Sequence, residues 1–157
     1  MNFEEMKRNS LELIEKSKAV YLTTIDLNGR PMTRAMLNLR NLEQFPEYKN
    51  FFKKQQNKFS IYFSTNTSSS KVKHIKKNPA ICVYFCDPED FHGLMLAGDG
   101  ELLYDKDLRE ALWLEGGEKY YPEGIDDPDY TVLRLVPDYG RYYYHLGKLD
   151  FELGEKK

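Results

Sequence analysis

Cysteine is scarce in this chain, and the usual metal-binding motifs are missing. The 157 residues include only two cysteines, Cys82 and Cys86, both in the segment AICVYFCD. On a strand, residues four apart point to the same face about 13 Å from each other, which is too far for a disulfide bond. The pair also departs from the CxxC spacing of redox and zinc motifs, so we expect two buried, reduced thiols. The three histidines show neither HxH nor HExxH spacing, and no metal site is predicted from them.

Long apolar runs and an excess of one charge are missing as well. No segment approaches the roughly 20 apolar residues of a membrane-spanning helix, and the first 20 residues carry charges throughout, unlike a secretion signal. The chain has 23 basic and 25 acidic residues, a formal net charge of -2. The basic run KVKHIKKNP has the spacing of a solvated helix face, and no nucleic-acid-binding motif accompanies it. We therefore expect a cytoplasmic protein that binds neither membranes nor nucleic acid, with residues 1–157 forming one domain.

Alternating and helical patterns divide the chain into strands joined by short turns and small helices. The segments AVYLTTI and MTRAMLNLR flank an Asn28-Gly29 turn, which predicts a hairpin of strands near 19–26 and 31–40. Helical spacing is found in residues 3–17, in residues 45–57, in SSSKVKHIKKNP and in KDLREALWLEG. Further strands are predicted in KFSIYFST, AICVYFCD, LMLAGDGELLYD, YTVLRLVP and GRYYYHLGKLDFE. Six or more strands with small helices between them predict a mainly β fold, a closed or nearly closed antiparallel barrel.

The segment STNTSSSK joins a predicted strand to a predicted helix and consists mostly of hydroxyl side chains. A helix N-terminus offers free backbone N–H groups and the positive end of the helix dipole, an arrangement that attracts phosphate. Lys71, in the first turn, adds a positive charge that is unfavourable to the dipole unless an anion is bound there. The other interpretation is a simple serine cap on a solvated helix.

Arg34 is a second candidate for binding an anion. Alternation along its strand places it on one face with Met32 and Met36. An arginine among apolar neighbours requires an anionic partner if that face is buried, and a guanidinium can bind a phosphate through two hydrogen bonds. The alternative is an arginine that faces solvent from a half-exposed strand.

These residues together resemble a known family. The order of YLTTIDLNGRPMTRAML, a strand that ends in FST, then SSSK and IKKNPAICVYF is similar to the FMN-binding split barrel of the pyridoxamine 5'-phosphate oxidase-like superfamily, near its general stress protein 26 branch. The resemblance is strongest over residues 17–113. It implies a mainly β fold, a six-stranded antiparallel split β-barrel of the FMN-binding type with short peripheral helices.

The resemblance also implies an FMN site at the matched positions. In the family the arginine meets the flavin phosphate, the backbone that follows it lies along the isoalloxazine ring, and a serine–lysine pair in the loop binds the phosphate. The oxidases proper carry a further lysine five positions after the arginine, where this chain has Leu39 with Arg40 beside it. The implied cofactor-binding residues are Arg34, Ala35, Met36, Leu37, Ser64, Thr65, Ser70 and Lys71.

A homodimer with flavin sites at the subunit interface is implied as well, together with flavin-dependent oxidation or reduction of a small-molecule substrate. Trp113, Tyr142 or Tyr144 would then be candidates to reach the flavin of the other subunit. The arginine-containing C-terminal segment with which true pyridoxamine phosphate oxidases bind substrate phosphate is not recognised, so we do not expect that activity. Other interpretations stay open: F420 or haem as the cofactor, a non-catalytic flavin-binding stress protein, and a barrel that binds no cofactor.

Overall fold

Eight antiparallel strands form one continuous sheet in residues 1–154, the part of the chain that the structure, a computed structural model, describes. The strands are β1 (Ala19–Ile25), β2 (Pro31–Leu37), β3 (Ile61–Asn66), β4 (Ala80–Asp87), β5 (His92–Leu103), β6 (Tyr130–Leu135), β7 (Tyr139–Tyr144) and β8 (Gly147–Glu152). The α-helices are α1 (Phe3–Lys16), α2 (Lys49–Lys54), α3 (Ser70–Lys77) and α4 (Lys106–Ala111). The predicted mainly β split-barrel architecture is confirmed, with eight strands in the sheet.

The sheet runs in the order β2-β1-β4-β5-β6-β3, and β7 pairs with both β5 and β8. The long strand β5 connects the two halves, because its first part pairs with β4 and β7 and its last part with β6. Two glycines of β5 lie where neighbouring segments of the protein come close. A Cβ on Gly98 would lie 3.2 Å from the Val136 carbonyl oxygen, and one on Gly100 would lie 3.0 Å from Ile81 Cδ1. Gly98 thus allows a close approach of backbone, and Gly100 a close approach of core side chains.

Three predicted elements differ in detail. Strand β2 ends at Leu37 and not near residue 40, because the buried Asn38 side chain donates hydrogen bonds to the carbonyl oxygens of Ile14 (2.7 Å) and Ser17 (2.8 Å) and so turns the chain toward α1. The predicted last strand is a hairpin of β7 and β8, with His145 in the turn at φ 48°. The helix predicted over 45–57 is shorter, a 3-10 turn at Pro46–Tyr48 followed by α2.

Two apolar clusters fill the fold. The larger one lies between α1 and the inner face of the sheet and includes Ile14, Phe63 and Phe85, because the apolar stripe of α1 faces β4 and β5. The smaller one lies on the other side of β3 and β6 and includes Tyr62 and Tyr130. The loop that carries STNTSSSK starts from β3 and is thereby anchored by both clusters.

The outer face of β4 carries Cys82, Tyr84 and Cys86. Both thiols are free, as expected, but they are half-buried and not buried, because they share the outer face with the exposed Tyr84 while Val83 and Phe85 take the core positions. Within residues 1–154, no helix combines the length and the apolar character needed to cross a membrane.

Candidate functional site

Arg34 is held by a chain of hydrogen bonds that connects β2, β1 and α3. Its register partner on β1 is Leu22, and its Nη1 donates to Thr24 Oγ1 at 2.8 Å. The same hydroxyl lies 2.9 Å from Nδ1 of His74, which is buried on α3. Thr24 is fully buried, so it can fix the guanidinium relative to α3 without competition from water. The strand that carries Arg34 and the helix that carries Lys71 are thus positioned as a unit.

Lys71 and Arg34 are two half-buried cations close enough to affect each other. Burial lowers the pKa of Arg34. The pKa of Lys71 is lowered mainly by burial and to a smaller extent by the positive charge of Arg34. In residues 1–154 neither side chain forms an ion pair with a carboxylate. Two unpaired cations at one place are unfavourable unless an anion joins them. This pair is the main electrostatic feature of the site.

The loop between β3 and α3 is held in place by Asp129, which precedes β6. Asn66 Nδ2 donates to Asp129 Oδ2 at 2.7 Å, the Ser68 backbone N–H donates to Oδ1 at 2.8 Å, and the Thr67 N–H donates to the Asp129 carbonyl oxygen at 2.7 Å. The Asn66 and Ser68 hydrogen bonds lower the pKa of the Asp129 carboxyl group. The middle of STNTSSSK is therefore structural, and it fixes the residues on either side of it.

The hydroxyl groups at the two ends of the segment have no such partners. Within the described chain, Ser64 Oγ, Thr65 Oγ1 and Ser69 Oγ are buried and form no hydrogen bond. Each buried hydroxyl left unpaired costs about 1–3 kcal/mol. Ser69 occupies the N-cap position of α3 but its side chain makes no capping bond, which removes the support for a simple serine cap. Ser69 lies two residues before Lys71 at the start of α3, and an orphaned hydroxyl next to an unpaired cation is what a bound oxyanion would satisfy.

Ser69 is a residue that the sequence analysis did not single out. It stands next to Ser70, which is exposed at the first position of α3 and makes no hydrogen bond through its side chain in the part of the chain described. Its position in the sequence, just before the predicted helix, was the signal that could have identified it, because the N-cap residue of a helix lies closest to the free N–H groups. Ser64 and Thr65 are consecutive on β3, so their side chains point to opposite faces of the strand. Their two hydroxyls therefore do not point to one common position beside the strand.

Strand β2 places Ala35, Met36 and Leu37 at an edge of the sheet. Since β2 pairs only with β1 among the described strands, its other backbone edge is open. Leu37 is 55% exposed, Ala35 is exposed and Met36 is half-buried. An open strand edge with small and apolar side chains is suited to contact with a flat ring or with another chain.

Neither Leu39 nor Arg40 replaces the lysine that the oxidases carry near this position. Leu39 is buried in the smaller apolar cluster. Arg40 is also buried: it donates to the Lys58 carbonyl oxygen, its guanidinium lies 5.2 Å from the centre of the Phe52 ring, and its Nη2 lies 3.8 Å from Glu15. That contact to the cofactor is therefore not available in this chain.

The three aromatic residues considered for contact with a second subunit differ in exposure. Trp113 is half-buried and packs edge-on against Tyr130, with ring centroids 5.3 Å apart. Tyr142 is 1% exposed and belongs to the core, so it has no surface to offer another chain. Tyr144 is half-buried and stacks on Tyr142 with centroids 6.0 Å apart. Trp113 and Tyr144 remain candidates.

The curled antiparallel sheet with a few short helices around it places the chain in the class of split-barrel proteins. Residues 6–144 match the family described as pyridoxamine 5'-phosphate oxidase. The chain belongs to this family. Among curated proteins, none matches the chain.

Solved structures agree with this assignment. A protein from Clostridium acetobutylicum, described as related to general stress protein 26 of B. subtilis, is 39% identical and has a TM-score of 0.75, with 98% of this chain and 97% of that chain covered. General stress protein 26 from Bacillus anthracis str. Sterne is 19% identical with a TM-score of 0.68, over 98% of this chain and 100% of that chain.

Two more distant structures share the fold. A pyridoxamine 5'-phosphate oxidase-related, FMN-binding protein from Nostoc punctiforme PCC 73102 is 16% identical with a TM-score of 0.64, over 99% of this chain and 95% of that chain. A haem-binding protein from Mycobacterium smegmatis is 15% identical with a TM-score of 0.63, over 91% of this chain and 57% of that chain. At these identities the likeness concerns the fold alone.

Proposed function

We propose that this protein binds FMN and uses it to oxidise or reduce a small molecule at the interface of a homodimer. The observation that supports the proposal most is the pair of unneutralised cations, Arg34 and Lys71, together with the orphaned hydroxyl of Ser69 at the N-terminus of α3. A phosphate dianion would neutralise the pair and accept hydrogen bonds from the hydroxyl and the free N–H groups of the helix.

Each part of the site matches one part of FMN. Arg34, Ser69, Ser70 and Lys71 would hold the phosphate, and the open edge of residues 35–37 would lie along the isoalloxazine ring. Thr24 and His74 orient Arg34, since they fix its guanidinium by hydrogen bonds. The bound flavin would supply the hydride or electron transfer, while the protein orients it and excludes water. No side chain is required as a general acid or base.

The outer face of the sheet supports the homodimer. The cross-strand register aligns Ala35 with Tyr21, Tyr21 with Tyr84 and Tyr84 with Met95 on that face. Leu37 and Tyr84 are 55% and 37% exposed, so the face presents an apolar patch that continues into the open edge of β2. Exposed apolar patches of this kind mark interaction sites, and a second copy would cover the patch and the proposed ring position together.

Spectroscopy of the purified protein tests the cofactor. We expect a flavin absorption spectrum, or the appearance of one on addition of FMN, and reduction of that flavin by NADH or NADPH followed by reoxidation with an acceptor. Since one fold relative is described as haem-binding, a Soret band in place of the flavin spectrum would replace FMN with haem. A deazaflavin spectrum would assign F420. A flavin that binds but is never reduced would favour a non-catalytic stress protein.

Measurements of FMN affinity in variants test the role of Arg34 in phosphate binding. Arg34→Ala should weaken FMN binding by about 1.5–3 kcal/mol, the range for a hydrogen bond to a charged group. Arg30→Ala is the matched control, because it removes the same charge from the same hairpin at an exposed position in the β1–β2 turn. Equal FMN affinity in both variants would contradict the assignment of Arg34.

A further inference from the structure

Two of the three histidines, which are far apart in sequence, meet at one end of the sheet. His92 begins β5 and pairs with Tyr144 of β7, so the residue after Tyr144, His145, lies beside it in the turn before β8. The ring centroids of His92 and His145 are 5.5 Å apart. Asp90, in the turn between β4 and β5, places its Oδ2 3.3 Å from His92 Nε2.

We propose that Asp90, His92 and His145 form a binding site for a divalent transition-metal ion of the zinc type. One ligand atom from each side chain lies within 4.8 Å of the other two. Around a tetrahedral ion with ligands at about 2.0–2.2 Å, ligand atoms lie about 3.2–3.5 Å apart. The Asp90–His92 distance already has this value. His145 needs to move by no more than about 1.5 Å to complete the set.

The side chains are placed so that this movement is easy. Asp90 and His145 are exposed, while His92 is half-buried against Tyr142, with ring centroids 6.1 Å apart. The turn that carries Asp90 is itself ordered, because Asp87 Oδ1 accepts hydrogen bonds from the backbone N–H groups of Glu89 (3.1 Å) and Asp90 (3.3 Å). His92 is thus held by packing and Asp90 by its turn, while the exposed side chain of His145 can rotate.

An ion pair between Asp90 and His92 would not explain why a second imidazole lies at the same point. Imidazole is a ligand for zinc, iron, nickel and copper, and two imidazoles with one carboxylate bind zinc or iron(II), whereas calcium and magnesium prefer oxygen ligands alone. Three protein ligands leave a fourth position for water or for another molecule.

The surroundings favour a cation. A cavity of about 680 Å³ adjoins the cluster, between α1, the start of β1 and the β4–β5 turn, and Asp90 and His92 line it. Its lining carries four carboxylates, Glu12, Asp87, Glu89 and Asp90, against two ammonium groups, Lys16 and Lys18. The excess of negative charge raises the local concentration of a divalent cation. A metal at this place would present its open position to whatever enters the cavity.

Calorimetric titration of the tag-free protein with ZnCl2 tests the proposal. We expect one ion per chain, and at least tenfold weaker binding in His92→Gln, His145→Asn and Asp90→Asn. Asparagine is chosen for residue 145 because it tolerates the left-handed backbone conformation there. Glu89→Gln removes the same charge from the same turn without removing a ligand and should keep the affinity within about twofold.

Cobalt substitution provides a second readout that does not depend on variants. Co2+ in a site with two imidazoles and a carboxylate should give visible absorption bands of a four- or five-coordinate ion, and these bands should disappear in His145→Asn. The proposal is overturned if Zn2+ does not bind, or if Glu89→Gln weakens binding as much as the ligand variants, which would indicate a diffuse acidic surface.

Discussion

The replacement of Lys71 separates an anion-binding role from a structural one. Lys71 contributes a half-buried charge at the start of α3 and forms no ion pair in residues 1–154. A hydrogen bond between charged groups contributes about 1.5–3 kcal/mol, so Lys71→Ala should weaken FMN binding about 10- to 150-fold. Riboflavin lacks the phosphate, and its affinity should stay the same. The ratio of the two affinities therefore reports the phosphate contact alone.

The same variant should not destabilise the protein without ligand. Burial and the charge of Arg34 lower the pKa of Lys71, so its charged form is less favourable in the folded than in the unfolded state. The unfolded state then binds more protons, and the stability of the free protein rises as the pH increases from the lowered pKa toward the ordinary value of 10.5. In Lys71→Ala this rise should disappear, and at neutral pH the melting temperature should be equal or higher.

Fluorescence quenching of FMN and of riboflavin, with thermal melts of the free protein, measures both effects. Lys73→Ala is the matched control, because Lys73 is exposed on the same helix two residues away. We expect its FMN affinity and its pH dependence to follow those of the unmodified protein. The reasoning is refuted if Lys71→Ala binds FMN normally, if riboflavin affinity falls by the same factor, or if the free protein loses stability.

Three further perturbations test other parts of the structure. Asp129→Asn should weaken FMN binding and lower the stability of the protein above about pH 4. Hydrogen bonds from the loop hold the pKa of Asp129 below its usual value, and the stabilisation that they provide is lost as the pH falls through this lowered pKa. Tyr84→Glu should shift the protein from dimer to monomer in sedimentation, whereas Tyr120→Glu, at a 66% exposed position, should not. Phe85→Ala should lower the free energy of unfolding by about 3–5 kcal/mol, whereas Phe91→Ala, at a 75% exposed position, should change it by less than about 0.5 kcal/mol.

Each of these expectations has a contrary result. FMN affinity that Asp129→Asn leaves unchanged would mean that the loop keeps its shape without that carboxylate. A dimer that persists in Tyr84→Glu would place the subunit interface away from the outer face of the sheet. Denaturant unfolding in which Phe85→Ala and Phe91→Ala behave alike would contradict the assignment of Phe85 to the core.

Local chemistry determined most of the secondary structure. The Asn28-Gly29 turn between two alternating segments gave the β1–β2 hairpin, since turn type and the period of two are both local properties. The junction at STNTSSSK was predicted for the same reason, because a β-rich stretch gives way to helical spacing there. These patterns also place Arg34 and Lys71 on their elements, and the resemblance to the family rests on the order of those elements.

Contacts between distant segments decided the rest. Nothing near Asn66 indicates that Asp129 holds its loop, or that Arg40 is held by Lys58, because each partner comes from another part of the chain. Likewise, the strand register of β5 and β7 alone brings His92 beside His145. The sequence by itself determined the elements and the kinds of side chain at the proposed site. Which hydroxyls form hydrogen bonds and which form none in residues 1–154 was decided by the tertiary structure, since a hydrogen bond depends on positions in space.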